Sequence, residues 1–260
     1  MAFDLDRYKR VSGRLDVDDL DLDAFRDQPL DERHLRCLRY MHDVEEHTSC
    51  YLRNLLNTRA HHDPEITTFL TMWNFEELWH GEALGAVIAA HDEPGTLPRV
   101  AAMRRRLGRR IGNPVAWMAF SAMTKHFLAV HMTFGVINEW TTQAGYARLA
   151  AESDHPVLAE LLRRIMKQEG RHIDFYLTNA RRHLEPAAAQ RTTRAVLKLS
   201  WKPVGASVMP DEEIRHLART LFADDVGRGA LERIDRRIDA LPGLDGLGLL
   251  TNAFGRYSRS

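Results

Sequence analysis

The chain has 260 residues, 44% hydrophobic and 28% charged, with Lys plus Arg and Asp plus Glu at 36 each. This is ordinary globular composition, long enough to bury a sizeable core, and its charge balance argues against bulk attraction to nucleic acid or to a membrane. No stretch approaches the roughly 18 apolar residues of a membrane span, and the opening MAFDLDRYKR lacks the basic-then-apolar pattern of a signal peptide.

Taken in chain order, residues 1–30 mix acidic and apolar residues without a period, which predicts a loosely packed arm. From Asp31 the pattern becomes helical. Asp31, Asp63-Pro64, Asn113-Pro114 and Asp154-His155-Pro156 each combine a side-chain acceptor, in most cases with a first-turn proline, and predict helices over 31–58, 64–91, 114–151 and 155–184. Cys37 and Cys50 fall 13 positions apart on the first of these, about 20 Å at the helical rise and beyond disulfide reach. A reduced, cytoplasmic protein is expected. The first and second helices, and the third and fourth, are joined by short links, whereas about 22 residues separate the second from the third. Two tight hairpins and one long crossover predict an all-α, ferritin-like four-helix bundle. Weaker helical stretches follow over 187–200, 211–224 and 228–240, and LPGLDGLGLL is too glycine-rich to assign. No useful β alternation occurs. The expected organisation is a single domain over 1–260, with a core at 31–184 and a helical extension at 185–260 packed on it.

Each of the four main helices carries an apolar stripe at steps of three and four, and each stripe is interrupted by glutamate. The first runs Leu38, Met41, Glu45, Leu52, Leu55; the second Leu70, Trp73, Glu77, His80, Leu84. The third runs Met132, Gly135, Glu139, Thr142, Tyr146; the fourth Leu162, Ile165, Glu169, His172, Tyr176. The halves repeat, with 32 residues from Glu45 to Glu77 and 30 from Glu139 to Glu169. An unpaired buried ion costs several kcal/mol, and no Lys or Arg lies on the stripes to compensate. Two divalent cations would. Glu45, Glu77, His80, Glu139, Glu169 and His172 match the ligand set of a di-iron or di-manganese carboxylate site, one Glu from each of two helices and Glu-x-x-His from the other two. Glu45 is preferred over Glu46, which shares a face with Arg39, His42, Ser49 and Arg53 and reads as solvated. Glu76 falls off its stripe and reads as a residue behind the ligands or at the surface.

These residues resemble the soluble acyl-carrier-protein desaturases of plants and actinobacteria. The likeness rests on Glu45-Glu46 followed by Tyr51, on Glu76-Glu77-Leu78-Trp79-His80-Gly81, on Glu139-Trp140-Thr141-Thr142, and on Glu169-Gly170-Arg171-His172. It covers about residues 31–184. Where that family has arginine before the second-helix histidine this chain has Trp79, and where it has aspartate before the fourth-helix glutamate this chain has Gln168. The resemblance implies two iron ions (manganese being the alternative metal), O2 as co-substrate, Thr142 beside the oxygen site, a ferredoxin-like electron donor, an acyl carrier protein or carrier-linked acyl substrate, and a homodimer.

The expected reaction is O2-dependent desaturation of a carrier-bound acyl chain. The alternatives are a di-iron hydroxylase or oxygenase of specialised metabolism, a radical-generating subunit, and an iron-handling protein. Met41, Leu128, Met132 and Gly135 are on the faces that would line an acyl slot. Tyr146 and Tyr176 read as core tyrosines, and His47, His126 and His131 as structural or surface residues. Five arginines in MRRRLGRR, 103–110, offer a patch for an acidic carrier.

Overall fold

The computed structural model describes residues 3–108 and 114–259. Among these every regular element is a helix. The arm contains α1 (Leu5–Val11) and α2 (Ala24–Asp27). Next come α3 (Glu32–Glu45), α4 (Thr48–Leu56) and α5 (Pro64–Ala89), then α6 (Thr96–Leu107) and α7 (Pro114–Met123). The longest helices are α8 (Phe127–Ser153) and α9 (Pro156–His183), and α10 (Ala187–Ser200), α11 (Asp211–Leu221), α12 (Asp225–Asp239) and α13 (Leu249–Arg259) complete the chain. No helix of the described residues is long and apolar enough to cross a membrane.

The helix starts follow their caps. The Asp31 carboxylate accepts from the His34 amide, and Asp63 accepts from Glu65 and Ile66 ahead of Pro64. At the fourth start it is His155 that caps α9, while Asp154 terminates α8 in the left-handed region at φ 48°. Asn113 lies outside the described residues.

Two expected helices are each divided in two. The first breaks at Glu46–His47, where the Thr48 and Ser49 hydroxyls take the Glu45 and Glu46 carbonyls that a continuous helix would use. The third breaks at Thr124–His126 into α7 and α8. The crossover is itself partly helical, since α6 packs on α3 and α5.

Around the site, α8 packs along α9, α3 and α4 pack on α5, and α5 and α3 reach α9 and α8 respectively. The C-terminal helices lie over this set, α10 and α12 on α8, α11 on α3, and α13 on α11 and α12.

The arm is not loosely packed. Tyr8, Leu15, Phe25 and Leu30 are buried, and Phe25 stacks on the His155 ring at 4.1 Å. Their irregular spacing follows the contour of the surface they cover, so no period betrays them. The glycine-rich tail is ordered as well. Leu241, Leu244, Leu247 and Leu250 are buried, and the Asp235 carboxylate caps α13 through the Leu250 and Thr251 amides.

Candidate metal centre

The six expected ligands come together at the middle of this helix set. Glu45 is the last residue of α3, Glu77 and His80 lie in α5, Glu139 in α8, and Glu169 and His172 in α9. All six are between 0 and 6% exposed. Their donor atoms form two groups that could each hold a metal ion, Glu45 with Glu77, His80 and Glu169, and Glu139 with Glu77, Glu169 and His172. Within each group the atoms lie within 4.8 Å of one another, and Glu77 and Glu169 belong to both. His80 Nδ1 is 3.3 Å from Glu77 and 3.4 Å from Glu169, and His172 Nδ1 is 3.1 Å and 3.0 Å from the same pair.

Each outer carboxylate is anchored by an aromatic donor. The Tyr146 hydroxyl donates to Glu45, and the Trp73 indole donates to Glu139 at 3.1 Å. Burial, reinforced by the charges of their acidic neighbours, pushes Glu45 and Glu139 well above the usual carboxylate range. Burial acts the same way on Glu77, but hydrogen bonds from Glu45 and the histidines hold it well below that range. For His80, burial is outweighed by hydrogen bonds to Glu169 and Glu77, which push it up to about 9. Metal-free, the cluster is thus neutralised by protons. Divalent ions supply the same compensation while releasing those protons. His80 Nδ1 and Glu169 Oε1 are fully buried and face each other at 3.4 Å without a well-formed hydrogen bond, which makes them donor atoms of the kind a metal ion satisfies.

A further layer stands behind the histidines. Both rings aim Nδ1 at the carboxylates and Nε2 away from them. His172 Nε2 meets Glu76 Oε2 at 2.8 Å, and His80 Nε2 meets Gln168 Oε1 at 2.8 Å. Glu76 also accepts from the Tyr8 hydroxyl, the Arg171 guanidinium and the Gly13 amide. Gln168 donates its NH2 to the Gly13 carbonyl at 3.3 Å. That carbonyl can only accept, so it turns the amide oxygen toward His80. With Nε2 engaged in this way, it is the Nδ1 proton of each ring that would leave on metal binding, turning the Nδ1 lone pair to the ion. Gly13, in the arm, is bonded to the layer behind both histidines.

Several expectations change. Of the two places expected for Glu76 it takes the one behind the histidines, fully buried; although burial opposes it, hydrogen bonds from His172 and Tyr8 hold its carboxyl down at about 2. The face bearing Glu46 is not solvated. His42 is fully buried, Asp43 pairs with Arg99 of α6, and Glu46 is 6% exposed, its carboxyl raised to about 7 by burial. α6 covers this face, which the periodicity of α3 does not reveal. Glu46 also accounts for Gly81, since a Cβ there would collide with its carboxylate. Trp79 supports the arm, with the Arg14 guanidinium 5.1 Å above its ring. His131 is buried, and His47 and His126 are half-buried.

No protein-family model, curated protein or solved structure matches this chain.

A cavity of about 320 Å³ reaches the cluster. Glu45, Glu77, Glu139 and Glu169 line it on one side, and Thr142, Tyr51, Trp117, Phe134 and the segment around Val204–Val208 on the others. Next to it a second cavity of about 400 Å³ shares Tyr51, Trp117, Phe134 and Ser200, and is otherwise walled by Phe120, Phe127, Val130, His131 and Val196. Together they mark an apolar route from the carboxylates toward α7 and α10. Of the four slot residues expected, Gly135 alone lines this route. Met41 borders a separate small cavity beside Glu45, Met132 is in the core, and Leu128 lines a different pocket. Half-buried Thr142 lies on the cavity wall with Glu45 and Glu139. The 200–208 segment is held over α3 by the Tyr40 hydroxyl, which donates to the Val204 carbonyl. Nothing in its own sequence signals this. Glu76 and Gln168 carried a usable signal, because each immediately precedes a ligand glutamate at the same point of the repeat.

Proposed function

We propose that this protein is an O2-dependent di-iron oxidoreductase that oxidises an aliphatic chain, of the acyl-carrier-protein desaturase type. On this reading α3/α4, α5, α8 and α9 are the helices of a ferritin-like bundle, and α6 and α7 lie on its crossover. The single observation that carries it is the pair of buried ligand groups sharing Glu77 and Glu169 on the wall of an apolar cavity. Glu77 and Glu169 would serve both of two iron ions, with Glu45 and His80 at one position and Glu139 and His172 at the other. Iron held there supplies the reduction of O2 and the oxidation of an unactivated C–H bond.

The chain's own residues do the rest. Tyr51, Trp117, Phe134 and Val208 exclude water and accept methylene groups. Thr142 offers a hydroxyl on the cavity wall for a proton or hydrogen bond beside the reacting carbon. Gln168 and Glu76 hold the histidines in the ligating tautomer. Desaturation converts –CH2–CH2–, O2, two protons and two electrons into –CH=CH– and two waters. Hydroxylation converts C–H with the same inputs into C–OH and one water. A ferredoxin-like protein is the proposed source of the electrons.

The test is iron loading under anaerobic conditions, chemical reduction, and a single exposure to O2 with a panel of acyl chains linked to a carrier protein. Loss of two hydrogens from the chain is the expected product. Gain of one oxygen would assign hydroxylation instead. Intact substrates with oxidised iron accumulating in the protein would overturn the proposal in favour of iron handling.

A further inference from the structure

The layer behind the histidines is chemically unequal on its two sides. His172 gives its Nε2 hydrogen to Glu76, a carboxylate fixed by the Tyr8 hydroxyl at 2.7 Å, Arg171 at 2.6 Å and the Gly13 amide at 3.3 Å. His80 gives its own to the neutral amide oxygen of Gln168, whose NH2 donates to the Gly13 carbonyl at 3.3 Å. An anionic acceptor behind a ligating imidazole makes the opposite nitrogen a stronger donor, and losing such a partner costs about 10–100-fold in metal affinity. An amide oxygen orients the ring equally well but lends it no charge. Arg171 takes Glu76 Oε1 while His172 takes Oε2, so the ion pair does not compete for the histidine's acceptor.

The outer carboxylates lean the same way. Glu139 sits in the interior of α8, with regular helix on both sides and the Trp73 indole on its carboxylate. Glu45 is the last residue of α3, followed directly by the turn at Glu46–His47. A ligand whose backbone ends a helix is less rigidly placed than one held within it.

We infer that the two metal positions fill in order, the one built on Glu139 and His172 first and tightly, the one built on Glu45 and His80 second and weakly, with Gln168 as the positioning residue that sets the difference. The inference rests on the di-metal reading of the cluster. It gives the protein one retained and one exchangeable metal, so that metal supply regulates the second position without threatening the first.

Anaerobic titration of the metal-free full-length protein with Mn(II), followed by calorimetry and electron paramagnetic resonance, tests this. Two steps separated by about tenfold or more are expected, with an uncoupled mononuclear signal at one equivalent that gives way to a spin-coupled one at two. Glu76→Gln is expected to weaken the first step by about 10–100-fold, and Gln168→Leu to weaken only the second. Should Glu76→Gln not fold, Gln168→Glu places a carboxylate behind His80 and should tighten the second step, narrowing the gap between the two. In the unsubstituted protein, two equal steps or a coupled signal already dominant at one equivalent would overturn the ordering, as would a Glu76→Gln protein whose tighter step is unchanged. Failure of the folded protein to take up any Mn(II) is a separate outcome, and it would overturn the di-metal reading itself.

Discussion

The Tyr176 ring packs on the backbone of α8 at Gly135, one helical turn before Glu139 of the candidate metal centre, and a Cβ at Gly135 would collide with it. The space opened by the glycine is therefore occupied by a fully buried tyrosine rather than left free for substrate. Gly135→Ala gains about 1 kcal/mol of helix propensity, yet overpacking a fixed core ring costs about 1–3 kcal/mol. Net destabilisation is expected as a lower denaturant midpoint. Gly135→Ala combined with Tyr176→Leu should recover most of it, and a stabilised single variant would show that the ring yields freely.

Because Glu77 and Glu169 serve both ligand groups while Glu45 and Glu139 serve one each, substitutions should differ in stoichiometry. Glu77→Ala or Glu169→Ala is expected to leave no metal after desalting, and Glu139→Ala to leave one position able to bind. Metal analysis of the purified variants decides this. The free cluster holds protons on Glu45, Glu139 and the histidines, so metal uptake should weaken as pH falls and release protons measurable by calorimetry in buffers of different ionisation heat.

His131 offers a pH test away from the ligands. It is buried, its Nε2 has no partner among the described residues, and burial lowers it to about 3. Unfolded, it titrates near 6.5, so below that pH the unfolded chain binds a proton that the folded one refuses. Stability is then full above about pH 6.5 and is lost toward pH 3 by about 1.4 kcal/mol per unit from this group. His131→Phe should flatten the slope of unfolding free energy against pH in this window. An unchanged slope would show that the ring is protonated in the fold.

Arg104, Arg105 and Arg106 are exposed on α6, whereas Arg109 and Arg110 lie outside the described residues. If this patch docks an acidic carrier, reversing the three to glutamate should raise the Michaelis constant for carrier-linked substrate by roughly an order of magnitude, with a rate that no longer falls with salt. An unaltered constant in both low and high salt would remove the docking role.

The ligand faces were legible because they are local. Glu77 and His80, or Glu169 and His172, are three residues apart on one helix, and that spacing alone puts them on one side. Glu46 was misplaced for the opposite reason. What covers its face is α6, more than fifty positions along the chain, and nothing in the period of α3 records the neighbour. Tyr8 and Gly13 were lost in a segment without periodicity, although they supply donors to Glu76 and an acceptor to Gln168.

By itself the sequence determined that the chain is helical, where most of the helices begin, and which six side chains point inward at the same level, since capping and the 3.6-residue period act within a few positions. The tertiary structure decided which histidine leans on Glu76 and which on Gln168, that the arm completes the site, and where the cavity runs. Those are meetings between segments far apart in the chain, and only the packing of the whole core sets them.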